Sequence, residues 1–254
     1  MRVDRRKPLT ARVGLIGVGH KTYWPQFENL LPEMHRKLAM LKGKLEKRAM
    51  EVVEFGLVDD AESTYATMPD VRGAHIDVLF VDMVTYATSS TWGILVREVN
   101  CPIVLVALQP LKAMDYENGS TFMQLCNDDF CSVPEFTGVA LRMGRPVPDV
   151  ILGYEEGDDR AEAELDRWCG IARVLHDVSR ARIGHMGHVL EAMLDMHTDP
   201  TALTRTFGCH VVQCEAHELV RQYQQADRDR VEAKKKEILG FFDKPDPGSD
   251  LIAI

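Results

Sequence analysis

The densest concentration of potential chemistry lies in three short segments that each follow an apolar run. The first is Gly17-Val-Gly-His20-Lys-Thr-Tyr23-Trp24-Pro-Gln26, where imidazole, phenol, indole and carboxamide stand within seven residues. Such a set suits a polyhydroxylated ligand, which needs directional hydrogen bonds and an apolar platform. The second, Asp82-Met-Val-Thr85-Tyr86-Ala-Thr88-Ser89-Ser90-Thr91-Trp92, is rich in hydroxyls where a helix should begin. The third is Leu108-Gln109-Pro110, leading to Asp115-Tyr116-Glu117. His20, Tyr23, Tyr86, Gln109 and Asp115 are therefore the candidate binding residues. The first two segments have plainer readings beside them: His20 as a satisfied strand end, Tyr23 and Trp24 as a staple for the helix that follows them, and Ser89 or Ser90 as the cap of the helix that follows the second segment; a carboxamide held before a proline at a strand tip, as Gln109 is, is harder to explain as packing. Asn127-Asp128-Asp129 and Pro134-Glu135 read as solvated turn residues.

Several chemistries lack their residues. Thr22 stands where the third glycine of G-x-G-x-x-G belongs, and no Walker lysine with Ser or Thr follows, so nucleotide or flavin binding has little support. No nucleophile and base share a motif. Gly184-His185-Met-Gly187-His188, with Asp195, His197 and Asp199 beyond it, has some look of a metal site, but a strand-to-helix turn does not set two imidazoles on one face. Cap and surface roles are the reading taken. The six cysteines are scattered without a C-x-x-C pair, and the close pairs Cys126/Cys131 and Cys209/Cys214 read as small buried apolar residues of a chain in a reducing cytosol.

The elements that position these segments alternate between short β-rich runs and helical periods, the pattern of a parallel sheet with helices on both faces. Strands are expected at residues 13–18, 51–58, 77–81, 102–108 and 147–152. Phe27, Leu30, Leu31, Met34, Leu38, Leu41 and Leu45 recur every three or four residues and define a long amphipathic helix. Crossovers at 60–73, 88–99 and 119–144 complete an α/β, flavodoxin-like doubly wound domain over residues 1–157. In such a sheet ligands bind beyond the carboxyl ends of the strands, which is where the three segments fall. Residues 158–254 hold a connecting helix, striped by Leu165, Trp168, Ile171 and Leu175, and then the start of a second Rossmann-like βαβ unit. Its strands are expected at 181–186 and 209–214, and its helices at 189–207 and 216–242. Two parallel strands cannot close a sheet, so their edges should meet other protein, and Lys244 to Asp250 reads as a linker leading to more of it.

With 254 residues, 45% hydrophobic and 27% charged, the chain has the composition of an ordinary globular protein. Its formal charge of −9, with no large basic cluster, argues against nucleic acid and anionic membrane as partners. The basic N-terminus runs into the first strand without a secretory apolar stretch, and no apolar run has membrane-spanning length, so a cytoplasmic location is expected.

The colinear set of Ile16, Gly17, His20 and Tyr23, then Thr85-Tyr86-Ala-Thr88-Ser89-Ser90, then Leu108-Gln109-Pro110 with Asp115-Tyr116-Glu117, then Arg182 to His188 and Met193-Leu-Asp195-Met, resembles the L-arabinose/L-fucose isomerase family, nearest its arabinose-isomerase-like branch. The resemblance spans nearly the whole chain, whereas family members run to about twice its length. It implies an aldose–ketose isomerisation in which Mn²⁺ holds sugar oxygens and two glutamates move a proton through an enediol. The family's glutamates and metal-binding histidines lie beyond the part that this sequence resembles, so the chain alone is expected to bind no metal and to be inactive. The resemblance also implies a trimer or hexamer, or a complementary C-terminal isomerase chain, with the N-terminal domain contributing substrate contacts and interface. Gln109 falls on a substrate-contacting glutamine of the family. His20 falls in its strand-one motif, with Gly19 where a glutamine usually stands, and Tyr86 and Asp115 map to the rim. The alternative is a sugar-binding or regulatory module derived from such an isomerase.

Overall fold

A computed structural model describes residues 10–241, which fall into two compact units divided after Val178. The proposed linker at 244–250 and the first nine residues lie outside the described part.

In the first unit β1 (Arg12–Val18), β2 (Glu51–Val58), β3 (Val78–Met83), β4 (Ile103–Gln109) and β5 (Asp149–Tyr154) form one parallel sheet in the order β2-β1-β3-β4-β5. This is the doubly wound, flavodoxin-like order. β3 and most of β4 are buried, because both faces of the sheet are covered. On one face lie α1 (Leu30–Lys47), through Leu38, Leu41 and Leu45, and α6 (Asp159–Ser179), through Ala161, Leu165, Trp168, Cys169 and Ala172. The predicted connecting helix is thus an outer layer of the first unit. On the other face lie α2 (Ala61–Gly73), α3 (Ser89–Glu98) and α5 (Val133–Arg142), with Trp92 stacked on Phe136 at 5.0 Å between ring centroids. The Trp92 indole N–H donates to Phe136 O at 2.6 Å, so this buried polar atom is satisfied.

Two local departures shape the sheet's edge. The β1–β2 register slips between Leu15 and Gly17, and Gly56 at that bulge has φ +76, a conformation for which a side chain would be strained. The expected crossover at 119–144 is two helices, α4 (Thr121–Cys126) and α5, with residues 127–132 turning inward between them.

The second unit contains β6 (Arg182–Met186) and β7 (His210–Cys214), paired in parallel. Where one helix is expected over 189–207, a 3₁₀ turn at Leu194–Met196 precedes α7 (Pro200–Phe207). Proline suits a first helical turn and Asp199 caps it, accepting from Thr201 N, so the helix starts late. The expected helix at 216–242 is broken into α8 (Ala216–Gln224) and α9 (Arg228–Leu239), and Asp227 caps the latter. No described helix is long and apolar enough to cross a membrane.

Candidate functional site

The sheet order reverses between β1 and β3, and three of the five candidates meet there. β1 hands its chain to a 3₁₀ turn at Lys21–Tyr23, and Tyr23 N donates to His20 O at 3.0 Å. The turn stands the His20 imidazole edge-on to the Tyr23 ring, 4.9 Å between centroids, while Tyr86 approaches His20 from β3 at 5.9 Å. Tyr23 and Tyr86 are themselves 6.4 Å apart and tilted. All three are half-buried. Burial raises the pKa of both phenols, and the negative charge of Asp128 acts on each in the same direction, so both remain O–H donors through neutral pH.

Trp24 is a packing residue, as its plainer reading supposes. Its N–H donates to Asp59 Oδ2 at 2.6 Å, and a Cβ placed on Gly19 would sit 3.0 Å from two atoms of its indole. Glycine at 19 is therefore the residue that leaves room for Trp24, which accounts for the absence of a longer side chain there.

The segment carrying Tyr86 is stitched at every second residue to the 125–135 stretch. Thr85 Oγ1 donates to Leu125 O at 2.8 Å, Ala87 N donates to Ser132 Oγ at 2.8 Å, Ser132 Oγ donates to Ala87 O at 2.8 Å, and Ser89 N donates to Glu135 Oε1 at 2.9 Å. Neither Ser89 nor Ser90, one of which is expected as the cap, holds that position: Thr88 does, its hydroxyl bonded to Ser90 Oγ at 2.9 Å and not to a helix N–H, and Glu135 reaches over from α5 to the free N–H of Ser89.

The largest departure from the sequence reading is Asn127-Asp128-Asp129, expected as a solvated turn. Asn127 and Asp129 are buried, because Lys37 of α1 supplies a counter-charge in the core. The Lys37 ammonium donates to Asp129 Oδ1 at 2.5 Å, Val84 O at 2.8 Å and Cys126 O at 3.1 Å, which satisfies its three N–H donors. It thereby ties the end of β3 to the inward turn. Asp82 of β3 is also buried, and its Oδ2 has no hydrogen-bond partner among the described residues. Burial pushes the Asp82 carboxyl up to about 7, opposed by Lys37. Asp129 is raised as well, again by burial first, with Lys37 working against it.

Gln109 and Asp115 do not join the aromatic cluster through any described contact. Gln109, at the tip of β4, donates through its amide to Asn127 O at 2.5 Å, while Asn127 Oδ1 accepts from Leu111 N at 2.9 Å. The carboxamide is thus a strap on the inward turn. Beside it lies an open groove of about 560 Å³ lined by Pro32, Leu111, Phe122, Met123, Cys126 and Asn127, among others. Asp115 is exposed and closes its own turn, accepting from Glu117 N at 3.1 Å and from the Asn118 side chain at 2.9 Å.

All six cysteines are free, but they are not uniformly the buried residues expected: Cys131 is exposed and Cys214 is half-buried. His185 bonds through Nδ1 to Gln213 Oε1 across the β6–β7 pair at 3.1 Å. Among the described residues no three His, Cys, Asp or Glu side chains come together as a metal-binding group.

No protein-family model matches this chain, and no curated protein matches it. A solved structure, described as a gut microbial diltiazem-metabolizing enzyme, is similar over 68% of this chain and 49% of its own, at 12% identity and a TM-score of 0.32. The chain spans about half the length of that structure, and so loose a likeness carries no reading of activity.

Proposed function

We propose that this chain is the carbohydrate-contacting part of an aldose–ketose isomerase of the L-arabinose/L-fucose isomerase type. The observation that carries the reading is the meeting of His20, Tyr23 and Tyr86 at the switch point of the sheet. Two phenols and an imidazole offer donors and acceptors to sugar hydroxyls, and the ring faces offer an apolar surface to the sugar's C–H groups. The stitched wall behind Tyr86 lowers the ordering cost of binding, since the segment is held before the ligand arrives. The role of these residues is to bind and orient.

Mn²⁺ would supply Lewis-acid polarisation of sugar oxygens in the complete enzyme. The described residues do not offer it a three-donor group, so no metal-dependent step is assigned to them. Proton transfer between carbons and coordination of the metal would fall to a complementary C-terminal isomerase polypeptide, and the assembly would be a trimer or hexamer.

Two measurements test the reading. Titration of the chain with aldopentoses and deoxyhexoses at millimolar concentration should displace the NMR signals of His20, Tyr23 and Tyr86. With Mn²⁺ and an aldose, the chain alone should form no ketose, and adding a polypeptide that carries the family's C-terminal half should produce it. Ketose formation by the chain alone, or silence at the three residues across the panel, contradicts the proposal. Binding without turnover in the reconstituted mixture would identify a non-catalytic sugar-binding module instead.

A further inference from the structure

An indole N–H can only donate, and a buried one normally finds an acceptor. Two of the three tryptophans do so: Trp24 donates to Asp59 and Trp92 to Phe136 O. Trp168 does not. It is 9% exposed, packed in the core under α6, and its Nε1 is buried with no acceptor among the described residues. The Nε of Arg145 is in the same condition. Arg145 stands on the loop between α5 and β5, where its Nη2 donates to Val99 O at 2.7 Å, and no carboxylate pairs with it among the described residues.

Arg145 and Trp168 line the same cavity. Its volume of about 520 Å³ is in the usual range for a small-molecule site. Ile103 and Asp149, the first residues of β4 and β5, also line it, so it lies at the amino ends of these strands. In a parallel sheet that is the end opposite the cluster of His20, Tyr23 and Tyr86. The wall is otherwise largely apolar, with Val96, Val99, Pro146 and Val147. Its acids are already accounted for. Asp149, half-exposed, accepts from Arg167 at 3.1 Å, and the Cys101 thiol, pushed up to about 11 by burial, is uncharged at neutral pH. Arg145 is therefore a cation in an apolar wall without a counter-ion among the described residues.

We propose that this cavity binds a small monocarboxylate with an apolar body: the carboxylate pairs with the Arg145 guanidinium and accepts from the Trp168 indole N–H, while the hydrocarbon lies against Val96, Val99, Pro146 and Val147. An ionised carboxylate carries acceptors only, which is what two unanswered donors require, and it neutralises the cation. Both orphaned N–H groups are closed to water in the unliganded surface, so the ligand enters as the Arg145 fork turns toward it; one hydrogen bond, at Nη2, holds that guanidinium. Asp149 sets a limit, because a second carboxylate would meet its negative charge. The site is separate from the proposed carbohydrate site and does not depend on it.

The test titrates the full chain with hexanoate, hexanamide, acetate and adipate and follows the three indole N–H signals by NMR. Trp24 and Trp92, whose N–H groups are already bonded, serve as internal references. Hexanoate should shift the Trp168 indole signal saturably and leave the other two in place. Hexanamide, which has the same length without the charge, should bind at least about tenfold more weakly, the loss of a charge-assisted hydrogen bond. Acetate, which lacks the apolar body, and adipate, which adds a second charge, should also be weaker than hexanoate. Arg145→Gln keeps a donor for Val99 O but loses the charge, and should weaken hexanoate about tenfold or more; Trp168→Phe, read at the Arg145 and Val147 amides, should weaken it about fivefold. The Trp92 indole signal reports whether each variant is folded, and the four-probe ranking on wild type decides the matter should a variant fail to fold. Equal binding of hexanoate and hexanamide, or hexanoate binding unchanged in both folded variants, overturns the proposal. So does a Trp168 indole that stays unmoved by every probe, which would leave the two donors to a buried water.

Discussion

Replacing Asp82 with asparagine should stabilise the first unit, and by an amount that grows with pH. The side chain is buried on β3 with Oδ2 unpartnered among the described residues, and its carboxyl is raised from 3.8 to about 7 by burial. A carboxyl whose folded pKa lies above its unfolded value holds a proton in the native state that the unfolded chain releases. Its contribution is therefore complete below the unfolded pKa and is lost as pH rises toward the folded one. The shift is about three pH units at ~1.4 kcal/mol each, so ionisation of this one group should cost the native state ~4 kcal/mol by pH 8. Asparagine keeps the shape, removes the titration and should recover most of that difference. Urea unfolding of wild type and variant between pH 4 and pH 8 measures it, with tryptophan fluorescence as the signal, because Trp24, Trp92 and Trp168 all precede the division after Val178. The two proteins should be nearly equal at pH 4 and diverge steadily above it. Parallel stability profiles, or a variant that is less stable at pH 8, would refute the burial argument.

Other substitutions probe the parts that hold the site. Ser132→Ala removes a buried hydroxyl that bonds both N and O of Ala87; a loss of ~1–3 kcal/mol in urea unfolding is expected, together with faster amide exchange at Ala87. Gly19→Ala brings a Cβ to 3.0 Å from the Trp24 indole, and the expected outcome is a shifted Trp24 N–H resonance and a destabilisation of ~1–3 kcal/mol. Phe136→Ala opens a cavity against Trp92 and should cost ~3–5 kcal/mol with a red-shifted fluorescence maximum.

Much of the first unit was legible in the sequence, for physical reasons that differ by element. Continuous apolar runs mark strands covered on both faces, and the stripe from Leu30 to Leu45 marks α1, since burial on one side of a helix imposes its period. The stripe also concealed something: Lys37 lies on the same buried face, three residues from Met34, and a charge there signals a buried counter-charge elsewhere in the chain. Sequence alone does not say which acid answers it, because Asp129 is 92 residues away and sits in a segment whose composition is that of a surface turn. The same distance hid Glu135 at the α3 N-terminus and Ser132 behind Ala87. His20, Tyr23 and Tyr86 were legible because strand ends on either side of a switch point must converge. Gln109 and Asp115 belong to the end of β4 and the loop after it, where a bond to Asn127 and a closed turn already engage them. In the second unit, Asp199-Pro200 and Asp227 are helix starts that the apolar period overran.

The central claim concerns where a sugar would bind. A heteronuclear NMR titration of the full chain with neutral aldoses, read at assigned His20, Tyr23 and Tyr86 signals and repeated on Tyr86→Phe, tests it most directly. The account predicts saturable shifts confined to the β1 and β3 tips and at least about fivefold weaker binding in the variant, the loss of one hydrogen bond. Saturable shifts centred on the Leu111–Phe122 groove or on the second unit, with the three residues silent, would contradict it.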